Sequence, residues 1–271
     1  MKKGIRGHDV RAEGLVGIRE KMEACGLECI QLVIEKSIPD FKTGSYSPEY
    51  AGKIKEMLGD TELTVLGSYI NPSAKNAEVL RGEVEKFEEK ILFARALGAV
   101  AVGTETGFYG ESMANCENDS EEAYQHLLTT MRRIVKSAER EGVSVAIEGV
   151  AIFVISTPEK MARLLRDLDS DYVKVIFDPV NYLTAENASR QHDIINSAFE
   201  LFADRIVAIH AKDFVLSQGA LLACDPGLGE LDWTLILENM KKYGVDAPII
   251  MEGIDEVRAT ESFARLKGLI K

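Results

Sequence analysis

Four short apolar runs of this chain each finish on a residue that can hold a metal ion. SVAIEG ends at Glu148, VKVIFDP at Asp178, IVAIHAKD at His210 and PIIMEG at Glu252. Three carboxylates and one imidazole make an oxygen-rich donor set, suited to one hard divalent cation with positions left open for substrate oxygens. Manganese is compatible with such a set, though the donors alone do not select it. Magnesium and cobalt are compatible, and zinc less so, because a thiolate-free set of this kind does not resemble a structural zinc site. An acid after an apolar run is, taken alone, often a helix cap or a loop charge. Four such endings on successive runs are much harder to explain that way.

Other residues could serve the same place. His8 follows the first apolar run and could face the same mouth, or cap a loop or pair with Asp9. Glu35 and Glu105 follow the second and fourth runs, where substrate contact competes with a plainer role as rim charges. Lys212 stands two residues after His210, so strand alternation would put both on one face, where its ammonium could neutralise an anionic intermediate. Asn71 could bind a hydroxyl, although Asn71-Pro72 is first a turn signal. Trp233 is most simply a helix-start anchor in the core. Gly227 and Gly229 lie in a spacing that is not a phosphate-binding loop, and a flexible loop over the mouth is the ordinary expectation. No Ser-His-Asp or Cys-His arrangement stands out.

The elements that must position these groups alternate regularly. Strands are expected at 4–9, 27–34, 62–70, 99–107, 143–149, 172–178, 206–213 and 247–253, with helices between them. The helices are expected from about 12 to 24, from Pro48, at 76–97, 119–141, from Pro158, at 188–203, from Trp233 and at about 256–270. Ser47-Pro48 and Thr157-Pro158 are strong N-terminal signals, and Gly26 and Gly98 are stops. Eight strand–helix units without a linker predict a single (β/α)8 TIM barrel over 1–271, whose strand C-termini gather the candidate ligands at one mouth. An open doubly wound sheet lacks support, since no Gly-rich fingerprint follows an early strand.

Composition narrows the function. Lys and Arg total 32 against 44 Asp and Glu, a net charge of −12 that opposes binding to nucleic acid or anionic membranes. No apolar run approaches the ~20 residues that span a bilayer, and no apolar stretch follows the first lysines, so a cytoplasmic protein is expected. Four cysteines without zinc-finger spacing read as free thiols. The expected partner is a small molecule, and apolar outer faces leave room for a homo-oligomer.

The order Glu, Asp, His, Glu, with the strings AIEG, FDPVN, HAKD and MEG and the stretch PGLGELDW (226–233), resembles the xylose-isomerase-like barrels. The resemblance covers most of the chain and is clearest from residue 143. It implies a metal-dependent isomerase or epimerase of a small sugar or sugar-like polyhydroxy carbonyl compound, acting through a metal-chelated enediolate. It further implies that Glu148 and Glu252 are the acid/base pair, with Asp178 and His210 as the remaining ligands. One position departs from the pattern: several members carry His three residues after the strand-six Asp, and here Asn181 stands there. An amide can hydrogen-bond a sugar hydroxyl but is a poor ligand and moves no proton near neutrality. Carry-over from ketose epimerases is weakened accordingly, and an inosose-dehydratase-type lyase is the close alternative. An endonuclease IV-like DNA repair nuclease is less suited, because it needs more histidines than the four present.

Overall fold

The computed structural model describes residues 2–38, 41 and 46–269. Eight parallel strands close into a barrel: β1 (Lys3–Arg6), β2 (Cys29–Leu32), β3 (Glu62–Gly67), β4 (Ala101–Glu105), β5 (Ser144–Glu148), β6 (Val173–Phe177), β7 (Ile206–Ala211) and β8 (Ile249–Met251). Each pairs with the next in sequence, and β8 closes on β1 with Gly4 opposite Ile250. Outside them lie α1 (Gly14–Ala24), α2 (Pro48–Leu58), α3 (Ala77–Leu97), α4 (Glu121–Glu141), α5 (Pro158–Leu168), α6 (Gln191–Phe202), α7 (Trp233–Tyr243) and α8 (Glu256–Leu269). The expected TIM barrel is therefore present. Among the described residues no helix is long and apolar enough to cross a membrane.

Local chemistry explains the helix starts. The Ser47 hydroxyl accepts from the Tyr50 N–H at 3.2 Å, and the Asn76 side chain accepts from Glu78 and Val79 at 2.9 and 3.1 Å. Ser120, Thr157 and Asp232 cap α4, α5 and α7 in the same way, each satisfying an N–H that the first helical turn leaves free. Several ends differ from expectation: α4 begins at Glu121, and α6 at Gln191 after a 3-10 turn at Ala188–Arg190. The first helix begins at Gly14, whose φ is 67°, rather than near Ala12, and the Arg11 N–H before it is bonded to Glu256 of α8 at 2.9 Å. The last helix is described to Leu269, and residue 270 lies outside the described residues. The strands are also shorter than the apolar runs. The first gives way to a 3-10 turn at Gly7–Asp9, and the second to a helical turn at Ile34–Ser37.

Strand alternation divides the core in two. Side chains facing outward, such as Ile5, Ile30, Val102, Ile147, Phe177, Ile209 and Met251, join the large cluster between sheet and helices. A separate cluster of fully buried Val65, Ala101, Ala146, Ile176, Ala208 and Ile250 fills the barrel. This plug is tight: a Cβ on Gly103 would sit 2.6 Å from Val65 Cγ1 and 2.9 Å from Ile176 Cδ1. Two register shifts interrupt the ladders, one between Ile30 and Gln31 against β3 and one between Val175 and Ile176 against β7. Such irregularities re-aim side chains near a barrel rim.

Two small antiparallel hairpins were not expected. Gly110–Ser112 pairs with Asn115–Cys116, and Asp213–Ser217 pairs with Ala220–Cys224. The second turns at Gln218 and Gly219, both at positive φ (50° and 78°), as a two-residue hairpin turn requires. It also shapes the 225–231 loop, which is pinned rather than flexible. Buried Asp213 accepts from the N–H groups of Phe214 (2.8 Å), Leu231 (2.9 Å) and Gly227 (2.9 Å). Gly229 passes so close that a Cβ there would lie 2.2 Å from Asp213 Oδ1.

Asp213→Ala should leave these three donors without their acceptor. Each unsatisfied buried donor costs roughly 1–3 kcal/mol, so a loss of about 3 kcal/mol is expected. A fall in melting temperature of about 6 °C or more, followed by circular dichroism, would match that cost. An unchanged melting temperature would show that the carboxylate does not organise the loop.

Candidate metal centre

Each candidate ligand lies two residues beyond a plug residue, so alternation returns it to the barrel axis. Glu148 follows Ala146, Asp178 follows Ile176, His210 follows Ala208 and Glu252 follows Ile250. The four therefore meet at the C-terminal mouth, one donor atom from each lying within 4.8 Å of the others. His210 is the hub. Its Nδ1 is 3.1 Å from Glu148 Oε1, 3.0 Å from Glu252 Oε2 and 4.0 Å from Asp178 Oδ2. Glu148, Asp178 and His210 are 2%, 0% and 0% exposed, so their charges have almost no water to rely on.

Cations of the protein balance the acids. Lys212 Nζ lies 2.8 Å from Glu252 Oε1 and 3.0 Å from Asp178 Oδ2, and it donates to Asn181 Oδ1 at 3.1 Å. Arg6, at the end of β1, places a guanidinium nitrogen 2.6 Å from Glu252 Oε1. Asp9 holds that guanidinium from behind at 2.7 Å and also accepts from the Gly253 N–H at 2.8 Å, tying the ends of β1 and β8 together. Asn181 Nδ2 donates to Glu148 Oε1 at 2.7 Å. Asp178 Oδ1 takes the N–H groups of Val180 and Asn181 at 2.9 and 3.1 Å.

The proton affinities follow from these contacts. Burial opposes charge on His210, but Glu148 and Glu252 outweigh it and push the imidazole up to about 10. Burial would raise the Glu252 carboxyl, yet His210, Lys212 and Arg6 hold it well below the usual carboxylate range. Asp178 is raised by burial despite Lys212. Burial, reinforced by Glu148, lifts Glu105 to about 7.

These residues fit a divalent cation. The donor set is three carboxylates and one imidazole, and Asp178 Oδ2 is buried with no hydrogen-bond donor aligned on it. Its charged neighbour is the Lys212 ammonium at 3.0 Å, and the oxygen keeps lone-pair capacity for a cation. Residues 20–269 match the family described as the xylose isomerase-like TIM barrel. The chain belongs to that family. It is 24% identical over 274 residues to an uncharacterised protein of Methanocaldococcus jannaschii, with 98% of this chain and 88% of that protein covered. Among solved structures, a D-tagatose 3-epimerase-like protein superposes with a TM-score of 0.78 at 23% identity, covering 100% of this chain and 97% of its own. The IolI protein with a bound zinc atom gives a TM-score of 0.77 at 17% identity, covering 99% and 96%. At these identities the two structures share the fold.

The weaker candidates separate by their contacts. Glu105 is paired in register with Glu148, and Asn181 and Lys212 touch the ligands directly. His8 lies in the turn after β1 with its Nδ1 buried and unpartnered, and burial and Arg6 lower its proton affinity. Asn71 is committed elsewhere: its amide donates to the Phe108 carbonyl and accepts from the Phe108 and Ser73 N–H groups. Glu35 is bound by Lys90 at 2.8 Å and by the Tyr46 hydroxyl at 2.5 Å. Trp233 is buried at the start of α7. Arg6, Gln31 and Tyr69 were not singled out from sequence. Gln31 alone left a trace, as the one polar side chain inside the apolar run of β2.

Addition of manganese to metal-free protein, at about a hundred times its dissociation constant, should stabilise the fold by about 2.7 kcal/mol. Asp178→Asn keeps the Oδ1 hydrogen bonds but removes the charge, and should abolish the thermal shift. Equal shifts in the two proteins would place the ion elsewhere.

Proposed function

We propose that this protein is a divalent-metal-dependent isomerase or epimerase of a small sugar or sugar-like polyhydroxy carbonyl compound. The convergence of Glu148, Asp178, His210 and Glu252 at the open end of a xylose isomerase-like barrel carries this conclusion. These four residues would hold the ion, with manganese preferred. When bound, the ion would polarise a carbonyl and its neighbouring hydroxyl and so acidify the hydrogen on the carbon between them.

The chain's own groups divide the remaining work. Glu148 is the proposed base: its partners are the neutral amide of Asn181 and the imidazole of His210. Glu252 is the second proton-transfer group, held by Arg6 and Lys212. Returning the proton to a different face or carbon completes the isomerisation. Lys212 suits a substrate oxygen that gains negative charge, and Asn181 suits a hydroxyl. Burial and the neighbouring Glu148 raise the proton affinity of Glu105 beside the site, which suits it to a hydrogen bond with substrate. The name of the D-tagatose 3-epimerase-like neighbour supports this substrate class. Cleavage of nucleic acid is disfavoured by the net charge of −12 and by the engagement of two of the other three histidines elsewhere. His126 is engaged by the Ala74 carbonyl and His192 by Asp232.

The test is proton exchange in D₂O. Metal-loaded protein is incubated with ketoses, inososes and their phosphates, and manganese is chelated before NMR spectra are taken. Metal-dependent loss of one carbon-bound proton signal is expected, and the product shows whether an isomer or a dehydrated compound follows. Glu148→Gln should slow exchange by about a hundredfold to ten-thousandfold with the fold intact. Exchange at the wild-type rate in that variant would remove Glu148 as base. No exchange across the panel by metal-loaded protein would overturn the proposed reaction.

A further inference from the structure

His210 has two ring nitrogens, and only Nδ1 faces the carboxylates. The other, Nε2, points across the barrel to β2 and lies 2.5 Å from Gln31 Oε1. Gln31 is fully buried, and its Nε2 donates to the Tyr69 hydroxyl just beyond β3, at 2.6 Å. A neutral imidazole that offers its Nδ1 lone pair to a cation must carry its proton on Nε2, and that N–H then needs an acceptor. Gln31 Oε1 is the atom in place. The amide could present its NH₂ group instead only by turning over. That would set two donors against each other at His210, whereas the Tyr69 hydroxyl can meet either end of the amide.

The ladder supports this placement. The register shift between β2 and β3 falls between Ile30 and Gln31, beside the residue that has to reach across to β7. No apolar side chain of the same size could satisfy the imidazole N–H, which at 0% exposure has no water to turn to.

From this geometry we infer that Gln31 is a positioning residue of the metal centre, oriented by Tyr69, which fixes His210 as a ligand through Nδ1. It acts on the ion through His210 and touches neither ion nor substrate. The inference rests on the proposed metal site and adds to it a residue on the opposite side of the barrel.

The test is manganese affinity, measured by electron paramagnetic resonance on folded protein. Gln31→Met keeps the volume and removes the acceptor, and should weaken binding by about 10–100-fold, the usual effect of losing a partner behind a ligating histidine. Gln31→Glu keeps an acceptor oxygen at the same reach and should bind within about threefold of wild type. Gln31→Met binding as tightly as wild type, or Gln31→Glu as weakly as Gln31→Met, would overturn the inference while leaving the metal site standing. Wild-type protein that takes up no divalent cation would overturn both. A second measurement needs no variant: ¹⁵N-labelled protein loaded with ¹¹³Cd should show coupling through His210 Nδ1, with Nε2 protonated. Coupling through Nε2 would refute the assignment even if the variants failed to fold.

Discussion

The constraint on which the structure turns is the burial of three carboxylates at one point. Oxygens of Glu148, Asp178 and Glu252 lie within 4.8 Å of each other. At an effective dielectric of about 20, each such pair of full charges repels by about 3–4 kcal/mol. The protein offsets this with His210 at the centre, Lys212 between Asp178 and Glu252, and Arg6 behind Glu252. Those contacts account for the raised imidazole and the depressed Glu252 carboxyl together. The His210–Glu252 contact is common to both shifts, with Glu148 adding to the first and Lys212 and Arg6 to the second.

The barrel is what makes the constraint supportable. Parallel strands send alternate side chains to the axis, and small or branched residues at Ala146, Ile176, Ala208 and Ile250 fill the level below the ligands. Because that level is closely packed, the charged level above has a rigid floor. Asp9 braces the rim where β8 meets β1, taking both the Arg6 guanidinium and the Gly253 N–H. Further round the same rim, Asp213 ties the hairpin after β7 to the loop before α7. Each is a carboxylate satisfied by several donors, the condition under which a charge is tolerated away from water.

How much of this could be read in advance depends on the range of the interaction. The eight units were legible because hydrophobic periodicity and helix caps act within a few residues, as Ser47 and Thr157 illustrate. The ligand quartet was legible because each member follows its own apolar run. Gln31 was not, since its meaning lies in His210, separated from it by 179 positions. Arg6 gave no signal either, for Glu252 reaches it only when β8 closes on β1. The 225–231 loop was expected to be flexible because of its glycines. Burial of Asp213 reverses that expectation: Gly229 is where the carboxylate leaves no room for a side chain.

Asn181 shows how one changed position rearranges the charge around it. A histidine there would bring a group able to carry a proton beside Glu148. The amide instead donates to Glu148 and accepts from Lys212, linking the two without adding charge. Among the described residues, Lys212 is the one permanent cation in contact with Asp178, Glu252 and Asn181 at once. Asp178 and Glu252, two of the residues that would hold a divalent ion, are the same carboxylates that hold this ammonium. Through Asn181 the Glu148 carboxylate is thus linked to the lysine that holds Asp178 and Glu252.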